Sequence, residues 1–446
     1  AIRTAVERMP KRRDLTKTQP NRMYPKTVLP NGLRVISHQM KERDSIALGF
    51  WIGVGGRYEE DPMKGAAHFL EHMAFKGSRK YSCAKIKELV EGVGGMLNAF
   101  TSEEQTCFYA KIPSQHLDQT FDVLADMIVY PQIAENAIAK EKTVIVEEIK
   151  MYRDLPQYFV LELLDELLWP GHPLGRNLAG TTETVTAMSR EDLHGFHGVH
   201  YVPGNIVVSA CGRVNHQRIV SLAKKKLGRI GSAKRCSYIK ADNSQARPRV
   251  KLFRKDIEQM HVAFGALGFD ENHKDRHALS LLSVILGGNM SSRLFVEIRE
   301  KRGLAYSISS ASKTMHDTGL FLIRAGVDNQ KVTQTMALIL KELEKIKRKG
   351  VAGGEFTRAK DYLLGQILLG LEDTMEHMLW IGETLISKDK VKTLKSLIAD
   401  FRKTTQEDIR RVARDVLKEN RYNLAVVGPL SAQQEKELAA MMNAAV

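Results

Sequence analysis

The feature that most constrains the fold is that the chain reads as two copies of one pattern. In the first half, IALGFWIGVGG is an apolar strand with a Gly-rich end, and a short helix follows it. MLNAFTSEEQTCFYAKI then reads as a pair of strands, and LDQTFDVLADMIV as an amphipathic helix. In the second half, MHVAFGALGF is the strand, ALSLLSVILGG the helix, AYSISSASKTMHDTGLFLIRAG the strand pair and QTMALILKELEKI the helix. Setting Cys107-Phe108-Tyr109 against Leu320-Phe321-Leu322 gives an offset of 213 residues, and the other elements fall near it. Locally paired strands followed by long helices predict an α+β fold: two homologous domains, each a mostly antiparallel sheet flanked by helices. The expected division is a basic tail over 1–26, a first domain over 27–230, a basic linker over 231–247 and a second domain over 248–446.

Composition enters through charge. The 446 residues carry a formal +15, which at first sight points to an acidic polymer as partner. Residues 1–28 hold +6 of it and residues 223–256 hold +10, which leaves −1 for the rest. Basicity confined to a tail and a linker predicts solvated, mobile segments, and no nucleic-acid motif accompanies it. No run of 18 apolar residues occurs, so no transmembrane helix is expected. The N-terminus, AIRTAVERMPKRRDLTKTQP, lacks the apolar core of a secretory signal. Cys83, Cys107, Cys211 and Cys236 show no paired spacing and are expected to be reduced thiols of an intracellular protein.

The chemistry is concentrated in His68-Phe69-Leu70-Glu71-His72. On a helix, His68 and His72 stand four apart on one face and can reach one cation. Glu71 lies beside them, placed to take a proton from water. Asp61-Pro62 is expected to open this helix and Lys76-Gly77 to close it. The second half has no counterpart, since ALSLLSVILGG carries neither His nor Glu. A catalytic zinc needs a third ligand from another rigid segment. The helical stretch ENAIAKEKTVIVEEIKMYR offers Glu141 and Glu148, seven apart and nearly in line, with Ile145 between them. An apolar stripe with a carboxylate at each end is unusual, because buried charges need a partner or a metal. Glu147 is turned off that stripe and reads as a solvated surface residue.

HFLEHMAFKGS, GMLNAFTSEEQTCFYAKI and EKTVIVEEIKMYRD together resemble the pitrilysin/insulinase family of zinc metallopeptidases. The likeness is to the short-chain branch that includes the mitochondrial processing peptidase beta subunit and its bacterial homologues. It implies one zinc per chain, with His68, His72 and Glu148 as ligands, Glu148 standing 76 residues after His72. It implies Glu71 as the catalytic base and Glu141 as the residue ordering the site from behind. GGNMSSRLFVEIREKRGLAYSI resembles the family's second signature and implies that Arg299 and Tyr306 bind substrate near the scissile bond. Asn98, Ala99 and Phe100 are implied to lie on a strand edge that pairs with an extended substrate.

The family closes domains of this kind as half-shells around a chamber, so these two domains are expected to form half of a clamshell. Since this chain carries both signatures, the resemblance implies a homodimer in which Arg299 and Tyr306 serve the partner's zinc. The alternative is a heterodimer with an inactive homologue. The implied activity is endopeptidase cleavage of unstructured or extended peptides, presequence-like ones included. The alternative is a non-catalytic structural subunit, like the core proteins of a respiratory complex. The expected compartment is a bacterial cytoplasm, with the mitochondrial matrix or periplasm as alternatives. Neither a specific nucleic acid nor a membrane span is expected.

Overall fold

The computed structural model describes residues 23–233 and 235–444, so the basic tail expected over 1–26 falls outside them except for its last four residues. The first half contributes strands β1 (Lys26–Val28), β2 (Arg34–Gln39), β3 (Ser45–Ile52), β4 (Met96–Thr101), β5 (Thr106–Pro113) and β6 (Ile206–Gly212). Its helices are α1 (Ala66–Ala74), α2 (Cys83–Glu91), α3 (Leu117–Val129), α4 (Glu135–Asp154), α5 (Pro156–Leu168), α6 (Thr182–Ala187), α7 (Arg190–His200) and α8 (His216–Leu227). The second half holds β7 (Arg249–Arg254), β8 (Gln259–Leu267), β9 (Ala305–Thr314), β10 (Gly319–Asp328) and β11 (Asn423–Gly428). With them run α9 (Arg276–Gly287), α10 (Val332–Lys349), α11 (Gly353–Gly370), α12 (Thr374–Lys388), α13 (Leu394–Lys403), α14 (Gln406–Val416) and α15 (Ala432–Ala444).

The strands form two sheets, ordered β1-β2-β6-β3-β5-β4 and β7-β11-β8-β10-β9. Each is antiparallel apart from one pair, β2 with β6 in the first and β7 with β11 in the second. The α+β reading with two duplicated domains is therefore what the molecule shows. β4 and β9 occupy equivalent places, each the free edge of its sheet. Alternation along the strands sends side chains to opposite faces. Phe50 and Phe108 point into the core under α1–α3, whereas Trp51 and Cys107 point to the other face.

That other face is covered by a helix from the opposite half. α12 lays Met378, Ile381 and Leu385 on β3 and β6 of the first sheet. Reciprocally, α5 lays Val160, Leu163 and Leu164 on β8 and β11 of the second. Glycine permits the close approach: a Cβ on Gly382 would lie 2.0 Å from Trp51 Nε1, and one on Gly49 would lie 2.4 Å from Met378 Sδ.

A layer of charge joins the halves where the β4–β5 and β9–β10 turns meet. Arg57, fully buried, donates to Glu104 and Asp317, both at 2.5 Å, and Glu103 pairs with Lys313. Such charges are tolerated in the interior because each is matched. The linker is drawn into this layer, where free, mobile chain was expected. Arg57 donates to the Ile239 carbonyl at 2.9 Å, Tyr238 stacks on His316, and the Ala241 amide donates to Asp317 at 3.0 Å.

Candidate metal centre and active site

α1 begins at Ala66, later than Asp61-Pro62 suggested; those residues form a separate turn of 3₁₀ helix. Gly65 precedes it in the left-handed region, φ +92°, and a Cβ there would lie 2.5 Å from the Ala179 carbonyl oxygen. Gly65 has no side chain to cap the helix, so Glu59 does it from a distance. Its carboxylate, 3% exposed, accepts the Gly65 and Ala67 amide N–H groups, both at 2.8 Å. An acid at a helix N-terminus satisfies free donors and complements the dipole. Burial pushes the Glu59 carboxyl up to about 8, against the pull of those donors.

One turn on, α1 presents His68 and His72 toward α4, which supplies Glu148. His68 Nε2 lies 3.7 Å and His72 Nε2 3.5 Å from Glu148 Oε2. Bonds of about 2.0–2.1 Å to a tetrahedral ion would set ligand atoms roughly 3.3–3.4 Å apart, so this donor set fits zinc. Among the described residues it is the one group of three or more His, Cys, Asp or Glu with donor atoms this close, all within 4.8 Å. Burial, with His72 nearby, pushes His68 down to about 4, leaving it a neutral imidazole. Burial pulls His72 the same way, but its bonds to Glu148 and Glu141 outweigh that and raise it. The hydrogen bond from His72 holds the Glu148 carboxyl below its usual range.

Behind His72, its Nδ1–H donates to Glu141 Oε2 at 3.0 Å, so Nε2, which faces Glu148, is the ring nitrogen that an ion would take. Glu141 Oε1 in turn takes Lys76 Nζ at 2.5 Å. Glu71 lies near His72 and Glu148, with its Oε2 engaged by the Thr101 hydroxyl at 2.5 Å. Burial raises its carboxyl and the Thr101 bond opposes the rise. Glu147 pairs with Lys150 at the surface, 2.7 Å apart, away from the site.

The remaining expected residues lie elsewhere. Asn98, Ala99 and Phe100 are on the β4 edge. Asn98 Oδ1 accepts the Ala99 N–H at 2.9 Å, while Phe100 turns to the α12 face and packs on Trp51. Arg299 lies in a π-helical turn, Phe295–Glu300, its guanidinium over the Phe295 and Tyr306 rings. Tyr306 is the extra residue of a bulge, since Gly326 pairs with Ser307 and Val327 with Ala305; it is 73% exposed. Neither makes a hydrogen bond, ion pair or ring contact with the metal cluster; the neighbouring Glu297 is taken by Lys301 and Arg302. Sequence reading gave Thr101 and Lys76 no part in the metal cluster, and Glu59 no role at all. Lys76, four after His72, was open to the same helical-phase reasoning, whereas Glu59 acts through the fold and carries no local signal.

Fold and site together define a duplicated α+β protein whose His68, His72 and Glu148 could hold a metal ion. Residues 34–182 match the family described as insulinase, peptidase family M16, and residues 187–363 match the peptidase M16 inactive domain. An uncharacterized zinc protease of Streptomyces coelicolor is 36% identical over 419 residues, 93% of this chain and 91% of that protein. Another from Bacillus subtilis is 34% identical over 399 residues, covering 90% of this chain and 97% of its own. A protease from Helicobacter pylori of known crystal structure superposes with a TM-score of 0.86 at 26% identity, over 93% of this chain and all of that one. The chain belongs to the insulinase family, also called pitrilysin/insulinase or M16. No helix among the described residues is long and apolar enough to cross a membrane.

Proposed function

We propose that the protein is a zinc-dependent endopeptidase acting on unstructured or extended peptides. The observation that carries this reading is the convergence of His68, His72 and Glu148 on one point, with Glu71 beside it and Glu141 behind it. A zinc ion held there supplies a Lewis acid that polarises a peptide carbonyl and acidifies water. Glu71 then has a divided carboxylate: Oε2 is held by Thr101, and Oε1 is left to accept a proton from water and return it to the departing amine. The β4 edge offers unpaired backbone groups to an extended chain, which favours unfolded segments over folded ones. On α4, Val144, Met151 and Tyr152 flank Glu148 at helical spacing, and Val144 and Met151 are exposed, so apolar side chains of a peptide have a surface to lie on.

The reading extends to a homodimer in which Tyr306 of a second copy donates to the developing oxyanion and Arg299 holds a substrate carbonyl. What supports it is that both are exposed and unattached to their own chain's cluster. A heterodimer with an inactive homologue would use the same surfaces. Bacterial relatives support a bacterial-type enzyme, with the cytoplasm as the expected compartment. The test is hydrolysis of quenched, unstructured basic peptides by the zinc-loaded protein and by Glu71→Gln. The variant should keep its zinc and lose turnover by about 10²- to 10⁴-fold. A wild-type protein that holds zinc and cleaves none of several peptides would leave the structural-subunit reading in its place.

A further inference from the structure

Resting on the peptidase reading, we propose that Thr101 is a positioning residue that keeps Glu71 a base by holding one of its carboxylate oxygens. Thr101 is the last residue of β4, so its hydroxyl joins the strand offered to substrate to the helix that carries the base. Glu71 stands between two imidazole ligands in sequence and interacts electrostatically with His72 and Glu148. A carboxylate so placed, with both oxygens free, is itself a good ligand for a divalent ion. With Oε2 engaged, one oxygen faces the reacting water and the group is kept out of the metal's coordination set.

The donor is held from behind. Ser102 donates its amide and its hydroxyl to the Gln105 carbonyl, both at 2.9 Å, which fixes the turn after Thr101. The Gly56 and Arg57 amides donate to the Ser102 and Glu103 carbonyls at 3.2 and 2.8 Å. A Cβ on Gly55 would lie 2.0 Å from the Ser102 oxygen, so the turn is pressed against the strand end. Thr also has a stiff χ1 in a strand, which presets the hydroxyl direction. The base is thus aligned through the same strand end on which a substrate would lie.

The experiment compares Thr101→Val, which keeps the shape and removes the donor, with Thr101→Ser, which keeps the donor. Val should lower kcat by about 10- to 100-fold with KM within about twofold, and Ser should retain most of the rate. Cobalt-loaded protein gives a second readout independent of turnover. The visible bands of Thr101→Val should weaken as the freed carboxylate joins the ligands, and adding Glu71→Gln should restore them. A Val variant with wild-type kcat and wild-type cobalt bands overturns the inference and leaves the peptidase reading standing. A raised KM at unchanged kcat overturns it too, since Thr101 would then serve only substrate binding. Should the zinc-loaded wild type cleave no peptide, the peptidase reading falls, and the cobalt comparison decides by itself whether Thr101 holds Glu71.

Discussion

Replacing Glu141 by Gln probes the support behind the proposed metal ligands without emptying the space. In the native site the carboxylate accepts from His72 Nδ1 at 3.0 Å and from Lys76 Nζ at 2.5 Å, and the residue is 4% exposed. The carboxamide can still accept from the imidazole, but its NH₂ then faces the ammonium, donor against donor. Lys76 escapes most of that conflict by turning to solvent, since its side chain is 35% exposed. What is lost is charge assistance: about 1.5–3 kcal/mol for a hydrogen bond to a charged acceptor falls to about 0.5–1.5 kcal/mol for a neutral one. The difference, about 1–1.5 kcal/mol, corresponds to roughly tenfold weaker zinc binding. Glu141→Ala should cost more, about 10- to 100-fold, because a partly buried N–H loses its acceptor altogether. Competition against a chromophoric chelator at fixed pH measures both, with circular dichroism to confirm folding. A Gln variant that binds zinc as tightly as wild type would refute the claim that Glu141 sets the His72 ligand.

Gly382→Ala sets two effects against each other. Helix propensity favours Ala by about 1 kcal/mol, whereas overpacking against Trp51, whose indole is tied to Ser209 at 3.0 Å, costs about 1–3 kcal/mol. Urea titration should show net destabilisation, and a more stable variant would contradict the contact. For the trans assembly, Glu71→Gln and Tyr306→Phe chains mixed in equal amounts should recover about one quarter of wild-type activity. Half the dimers are then mixed, each with one intact site of two. Absence of recovery, after exchange is verified, would count against completion in trans.

Much of the candidate metal site was legible because its elements are helical and its residues fall at helical spacings. His68 and His72 share a face of α1, and Glu141 and Glu148 share a stripe of α4, as the structure shows. The bounds of α3 coincide with the sequence reading, Leu117–Val129, where the apolar period is regular. The start of α1 did not, because a left-handed glycine and a cap six residues upstream replace the usual local signal. Lys76 was read as a helix terminator, a role that said nothing of its reach to Glu141. The bulge that exposes Tyr306 leaves no mark in AYSISSASKT, since register is decided by β10. Nor could amphipathic spacing in α5 and α12 reveal which sheet each would cover.

That exchange of helices has a consequence for how the chain acquires its structure. Each repeat leaves one face of its own sheet bare and completes the other's, which is the geometry of a swapped dimer joined into a single polypeptide. The first sheet cannot be finished until α12 has been synthesised, more than 160 residues after β6. Contacts of such sequence separation slow folding, and until they form an apolar sheet face stays open to solvent. The repeats are two in sequence, but the unit that folds is one.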